Sequence, residues 1–81
     1  MNDITNLRPS EQLRLARYFL GESQSEFGKR LGFSRTTIGR WERGEVRIPV
    51  KIYAYVVNIL RAKGYKVRFV VRFDDDEFDI I

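Results

Sequence analysis

The sequence predicts a mainly α fold, in which one domain of four helices is followed by a C-terminal β-strand or hairpin. With 81 residues the chain has room for a single small domain. Four segments with apolar residues at helical spacing each end at a glycine, and from Tyr65 the apolar spacing shortens to two, which is typical of a strand. The four glycines are Gly21, Gly32, Gly44 and Gly64.

The first two helices are predicted from their caps. The first covers residues 10 to 20, with Ser10 as its N-cap. The second follows the capping box SQSE, residues 23 to 26, and ends before Gly32. Gly28 lies inside this helix, where glycine costs about 1 kcal/mol relative to alanine. We therefore expect a close contact with a neighbouring element at Gly28.

The third and fourth helices are predicted in the same way. Ser34 caps a third helix that ends at Gly44, and Pro49 suits the first turn of a fourth helix that Gly64 closes. The fourth helix is apolar on most sides, so it must be buried against the rest of the domain. Its large apolar residues are Ile52, Val56, Val57, Ile59 and Leu60.

Residues 65 to 73 alternate between apolar and mostly basic positions, which predicts a half-buried strand. DDDE follows as a turn, and EFDII could supply a short return strand. An unpaired strand edge is a template for another chain, so this strand either joins two subunits or forms an intrachain hairpin. The dimerisation candidates are the apolar-face residues Tyr65, Val67, Phe69, Val71 and Phe73.

Composition argues against several classes of function. The chain has no cysteine and no histidine, so we predict no catalytic residue, no metal site, no cofactor and no enzyme activity. The acidic run DDDEFD could bind a hard cation, but such runs are most often solvated turns. The N-terminus lacks the apolar core of a signal peptide, and the apolar run at residues 52 to 57 is too short to cross a bilayer. We expect a cytoplasmic protein with no membrane partner.

Charge is unevenly distributed along the chain. Residues 1 to 64 hold twelve Lys and Arg against six Asp and Glu, a net +6, whereas residues 65 to 81 hold three against five, a net −2. A basic body with an acidic end suits a polyanion bound by the body. The alternative is a basic surface that is simply solvated.

The third helix separates by angle into two faces. At about 100° per residue, one arc is cationic and hydroxyl-bearing and the other is largely apolar. Arginine can bond guanine bidentately, threonine can contact bases, and a glycine lets the surface approach another body closely. The alternative is an ordinary amphipathic helix with solvated arginines. The cationic arc holds Arg35, Gly39, Arg43, Thr36 and Arg40, and the other holds Thr37, Trp41, Ile38 and Glu42.

The segment SQSEFGKRLGFSRTTIGRWERG, residues 23 to 44, resembles the helix-turn-helix family of phage repressor and Cro proteins, the XRE type. The resemblance covers about residues 10 to 60 and implies a four-helix, repressor-like domain that binds double-stranded DNA. It departs from the family at Gly28, where alanine is usual, and in the strand-like C-terminal segment, where further helices are common. The dimer geometry is therefore not implied.

The resemblance also implies roles for individual residues. The start of the third helix would contact bases and the flanking positions would contact phosphates. Arg17 and Glu42 match a structural pair between the first and third helices. Trp41 lies on the apolar arc, so we expect it in the core; the alternative is a platform for base stacking. Together with Gly39, the candidate base-contacting residues are Arg35, Thr36 and Arg40; the candidate phosphate-contacting residues are Gln24, Thr37 and Arg43.

These observations predict a helix-turn-helix DNA-binding domain over residues 1–64 and, over residues 65–81, a C-terminal strand and acidic tail that form a dimerisation element of the same domain. The predicted function is a sequence-specific transcriptional regulator, a homodimeric repressor that reads a pseudo-palindromic operator through the major groove. The alternative is an antitoxin or adaptor that binds a partner protein, through acidic residues 74 to 79, and autoregulates its own promoter.

Overall fold

Four helices form most of the structure, a computed structural model that describes residues 3–68, 70–73 and 76–79. They confirm the predicted mainly α fold class. A short antiparallel pair of strands follows the helices, with Val71 opposite Phe78. The elements are α1 Pro9–Leu20, α2 Gln24–Leu31, α3 Arg35–Glu42, α4 Val50–Ala62, β1 Val70–Phe73 and β2 Asp76–Asp79.

The caps of α2 and α3 are confirmed. The Ser23 hydroxyl accepts from the Glu26 amide at 3.1 Å, and the Glu26 carboxylate accepts from the Ser23 amide at 2.8 Å. The Ser34 hydroxyl accepts from the Thr37 amide at 3.2 Å. Because these bonds satisfy amides that have no partner inside the helix, each helix begins where its cap predicts.

The predicted N-cap of α1 was wrong. The helix begins at Pro9 with Arg8 as its N-cap, two residues before the predicted Ser10. Proline suits the first helical position, since its fixed φ is already helical and its missing N–H would have had no partner there. The Glu11 carboxylate accepts from the Arg8 amide at 2.8 Å and completes the cap. Pro49 occupies the N-cap of α4, directly before the first helical residue.

The core lies where α4 packs on α1 and where α1 and α2 pack on α3. Burying each large apolar side chain contributes about 1.5 to 3 kcal/mol relative to leaving it exposed. The predicted burial of α4 is confirmed, since its inner face supplies three of the core residues. The buried apolar residues are Leu13, Ala16, Phe27, Ile38, Trp41, Ile48, Val56, Val57, Leu60 and Val67.

The segment after α4 departs from the predicted strand. Residues 65 to 68 form no strand; Lys66 makes only an isolated bridge to Asp3. The Lys66 carbonyl accepts from the Ile4 amide at 3.0 Å, and the Arg61 guanidinium donates to the Val67 carbonyl. These backbone groups are therefore satisfied by the N-terminal segment and by α4 instead of a longer ladder.

The predicted dimerisation residues do not share one environment in the structure. Val67 is buried in the core of its own chain, and the ring centroid of Tyr65 lies 5.5 Å from that of Phe19. Val71 and Phe73 belong to β1, whose backbone pairs with β2 of the same chain. Phe69, Asp74 and Asp75 lie outside the described residues. The role of this segment in a dimer stays a prediction.

A buried glutamine ties the N-terminal segment to two helices, a contact that the sequence did not predict. Gln12 on α1 is 1% exposed. Its amide donates to the Ile4 carbonyl at 3.1 Å, and its oxygen accepts from the Tyr53 hydroxyl on α4. Burial raises the pKa of Tyr53. Since both polar ends of Gln12 have partners, its burial carries no unsatisfied group.

Gly28 lies where α2 meets the turn before α3, and the expected close contact is confirmed. A Cβ atom added at Gly28 would lie 2.3 Å from the Phe33 carbonyl oxygen and 3.4 Å from Ile38 Cγ1. The Gly28 carbonyl also accepts from the amides of Gly32 and Phe33, at 2.7 and 2.8 Å. Because the obstructing atom belongs to the backbone, a side chain here would push the turn away from α2.

We expect Gly28→Ala to lower the free energy of unfolding by about 1 to 3 kcal/mol, since overpacking outweighs the higher helix propensity of alanine. Gly39→Ala is the matched control. It also changes a glycine inside a helix, but its new Cβ would meet only the mobile end of Arg43, at 3.0 Å, and the Gln24 side chain. Urea unfolding followed by circular dichroism measures the free energy of unfolding of both variants. An equal loss in the two would contradict the steric role of Gly28.

Candidate nucleic-acid interface

Burial divides α3 into the two faces that the sequence predicted. Arg35, Thr36 and Arg40 are exposed, whereas Ile38 is fully buried. Trp41 is 2% exposed, and its ring lies edge-on to that of Phe33 with centroids 4.8 Å apart. The predicted core position of Trp41 is confirmed. Three of the four candidate base-contacting residues thus lie on the outer face of α3.

Gly39 is the exception among the base-contacting candidates, since it is buried by side chains of its own chain. A Cβ atom on Gly39 would lie 3.0 Å from Arg43 Nη1 and 3.7 Å from the Gln24 amide group. The structure thus brings Gln24, Gly39 and Arg43 together. In this conformation two candidate phosphate ligands cover the glycine, so another body can reach Gly39 only after those side chains move.

Thr37, the third candidate phosphate ligand, is half-buried at the first turn of α3. Its hydroxyl oxygen lies 3.1 Å from that of Ser34, within hydrogen-bond distance. Two hydroxyls therefore meet at the N-terminus of α3, where backbone amides and the helix dipole favour an anion.

Glu42 joins α3 to the other two helices of the interface. It is 5% exposed and accepts from Arg17 Nε at 2.6 Å and from Arg17 Nη2 at 3.1 Å. This confirms the predicted pair. The Gln24 amide also donates to Glu42, at 3.1 Å, and Arg14 Nη2 lies 3.4 Å from the Glu42 carbonyl oxygen. We did not predict the contacts from Arg14 and Gln24.

The Arg17–Glu42 pair is the electrostatic centre of this network. Hydrogen bonds to the Glu42 carboxylate raise the pKa of the Arg17 guanidinium. Arg17 Nη1 also donates to the Glu22 carbonyl at 2.8 Å, in the connection between α1 and α2. The Arg17 guanidinium therefore joins α1 to α3 and to the connection between α1 and α2. Gln24 extends the network to the surface beside Gly39.

Sequence reasoning also missed Glu45, which lies among the arginines of the interface. Its carboxylate accepts from Arg43 Nε at 2.6 Å, and both side chains are about half exposed, at 54% for Arg43 and 51% for Glu45. The signal that could have located it is Gly44, because a glycine after a helix commonly turns the chain back over the last helical turn.

A family model described as a helix-turn-helix domain matches residues 10–69. The chain belongs to the helix-turn-helix domain family. Comparisons with curated proteins and with solved structures gave no match. The resemblance inferred from residues 23 to 44 is thereby confirmed. Helix-turn-helix domains bind DNA with the second helix of the motif in the major groove. Membership therefore supports DNA binding, and α3 corresponds in position to that second helix.

Over residues 3–68, the part of the chain whose side chains the structure describes, there is no group of three or more acidic residues placed to hold a metal ion. None of the described helices is long and apolar enough to span a membrane.

We expect Arg17→Met to lower the free energy of unfolding by about 2 to 3 kcal/mol, because it keeps the apolar stem but removes the main counterion of a buried carboxylate. The loss is below that of an isolated buried charge, since Arg14 and Gln24 still contact Glu42. Arg30→Met is the matched control, because Arg30 pairs with Glu22 at an exposed position. Thermal unfolding should show a much smaller loss of stability for the control. Equal losses of stability in the two variants would place Glu42 in a solvated environment.

Proposed function

We propose that this protein is a sequence-specific, double-stranded DNA-binding transcriptional regulator, a dimeric repressor that reads a pseudo-palindromic operator with α3 in the major groove. One observation carries the proposal: α3 exposes Arg35, Thr36 and Arg40 on one face while its opposite face is held in the core and by Glu42. The proposed role is binding and not catalysis, and the proposed location is the cytoplasm.

The interface residues fall into two groups, those proposed to contact base edges and those proposed to contact phosphates. Arg35, Thr36 and Arg40 project from the outer face of α3 and would read base edges, with Gly39 allowing a close approach once its covering side chains move. Phosphates would be bound beside this face. The Gln24 amide has two N–H donors and uses one on Glu42, so the second is available for a phosphate. Thr37 and Arg43 are the other two proposed phosphate ligands.

A dimer would double the contact area between the protein and DNA, and its two-fold axis would match the symmetry of the operator. Tyr65 and Val67 pack within their own chain, which leaves residues 69 to 73 as the proposed subunit contact. One edge of β1 pairs with β2, so a second copy would add at the opposite edge. Two recognition helices about 34 Å apart would then meet successive major grooves.

The test is selection of bound sequences from a randomised duplex pool near physiological salt. We expect a pseudo-palindrome with half-sites about 10 bp apart. A protein that enriches no motif would favour the adaptor alternative, in which the acidic C-terminal residues bind a basic partner protein and the complex represses its own promoter. Mixing with such a partner should then restore selection.

The reading face is tested with Arg35→Ala and Arg40→Ala. Each should weaken binding to the selected duplex by about 1 to 3 kcal/mol and relax the preference at one base pair, because a bidentate arginine distinguishes guanine from other bases. Fluorescence anisotropy on the selected duplex and on a random duplex separates a loss of sequence-specific affinity from a loss of affinity for all DNA. If both variants bind both duplexes like the wild type, α3 does not read bases.

The subunit contact is tested with Phe69→Asp. A charge on the apolar side of the segment should be costly to bury and should shift the protein towards monomer in sedimentation equilibrium. Asn58→Asp, which adds the same charge at an exposed position of α4, should leave the association unchanged. A Phe69→Asp protein that still sediments as a folded dimer would contradict an interface through residues 69 to 73.

A further inference from the structure

Backbone bonds hold Glu45 beside the recognition helix. After α3, the Gly44 amide donates to the Trp41 carbonyl at 3.1 Å, and the Glu45 amide donates to the Arg40 carbonyl at 2.9 Å. Gly44 has a φ of 73°, so this pair of bonds is a Schellman motif with glycine in its left-handed position. Glu45 therefore belongs to the end of α3 and is directed back over its last turn.

At this position the Glu45 carboxylate meets the arginines of the interface. Arg43 Nε lies 2.6 Å from one carboxylate oxygen, and Arg43 Nη2 lies 3.5 Å from the other. The hydrogen bond with Arg43 lowers the pKa of Glu45, and the charge of Arg40 lowers it further. The carboxylate is thus ionised at neutral pH and occupies the donor fork of a proposed phosphate ligand.

Helix stability does not account for an acidic residue at this position. A carboxylate at the C-terminus of a helix is disfavoured, because the helix dipole is negative there. An exposed ion pair such as Arg43–Glu45 contributes little to folding, since water and salt screen it. Glu45 can therefore have a larger effect only through another ligand of Arg43.

We propose that Glu45 competes with DNA phosphate for Arg43 and thereby lowers the affinity of the recognition helix for DNA of every sequence. This inference rests on the proposed function and deepens it. A carboxylate and a phosphate both accept two hydrogen bonds from an arginine fork, and Glu45 occupies the Nε and Nη2 side of the Arg43 fork. A phosphate that approaches this side competes with Glu45 for the same two donors. DNA binding then exchanges one acceptor for the other, and the displaced carboxylate stays close to Arg40 and to the phosphates.

The exchange lowers binding without reading sequence, because phosphates carry no base information. The factor is the same for cognate and random DNA, but at random DNA it acts on an affinity that phosphate contacts supply almost entirely. Glu45 therefore reduces the fraction of the regulator that is held at random sites.

The test is a double-mutant cycle of Glu45→Gln and Arg43→Ala, measured by fluorescence anisotropy on a random-sequence duplex between about 50 and 200 mM salt. Glu45→Gln should tighten binding about two- to fivefold and steepen the salt slope by up to about one unit. In the Arg43→Ala background the same change should have little effect. Glu22→Gln, which adds the same net charge at the Glu22–Arg30 pair, is the matched control.

Two results would overturn this inference while the proposed function stands: a Glu45→Gln protein that binds like the wild type, or a gain that is equally large without Arg43, which would reflect net charge alone. A gain equal to that of Glu22→Gln would do the same. A wild-type protein that binds neither random nor selected duplex would instead refute the proposed function together with the inference.

Discussion

The buried carboxylate of Glu42 is the constraint on which the arrangement of the first three helices depends. An ionised group at 5% exposure must have charged or hydrogen-bonding partners, because its desolvation is otherwise costly. Arg17 and Arg14 come from α1 and Gln24 comes from α2, so the carboxylate of α3 draws both helices to one point. The outer face of α3 is thereby left exposed, and the same network places Gln24 at the edge of that face.

A second constraint acts on the backbone between α2 and α3. The absence of a side chain at Gly28 lets the Phe33 carbonyl approach closer than any Cβ atom would allow, and the Gly28 carbonyl accepts two amides of the turn. The turn is therefore compact. Because it is compact, Phe33 packs against Trp41 and the apolar side of α3 is held against the core. The orientation of α3 thus depends on one missing methyl group and one buried charge.

The proposed DNA-binding surface carries arginines that attract phosphate and one carboxylate, that of Glu45, that repels it. Arg43 covers Gly39 and pairs with Glu45, so in the free protein part of the cationic face is already occupied by groups of the same chain. Binding would require these side chains to exchange partners. In the proposed mode of binding such a surface would give up some affinity for phosphate, and the proposed base contacts at Arg35, Thr36 and Arg40 would supply specificity.

The sequence by itself determined the features that depend on neighbouring residues: the caps at Ser23 and Ser34, the stops at glycine and the two faces of α3. These follow from hydrogen bonds and periodicity within a few residues, and the family resemblance added the Arg17–Glu42 pair. The N-cap of α1 was missed because the fit of Pro9 at the first helical position outweighed the serine that follows it. Only the tertiary structure decided that Gln24 contacts Glu42, that Arg43 covers Gly39, and that Ile4 pairs with Lys66 in place of a longer strand. The contacts at Glu42 and Lys66 join residues far apart in the chain, so they depend on how the helices pack. Arg43 lies only one turn after Gly39, but helical periodicity does not fix the direction of its long side chain.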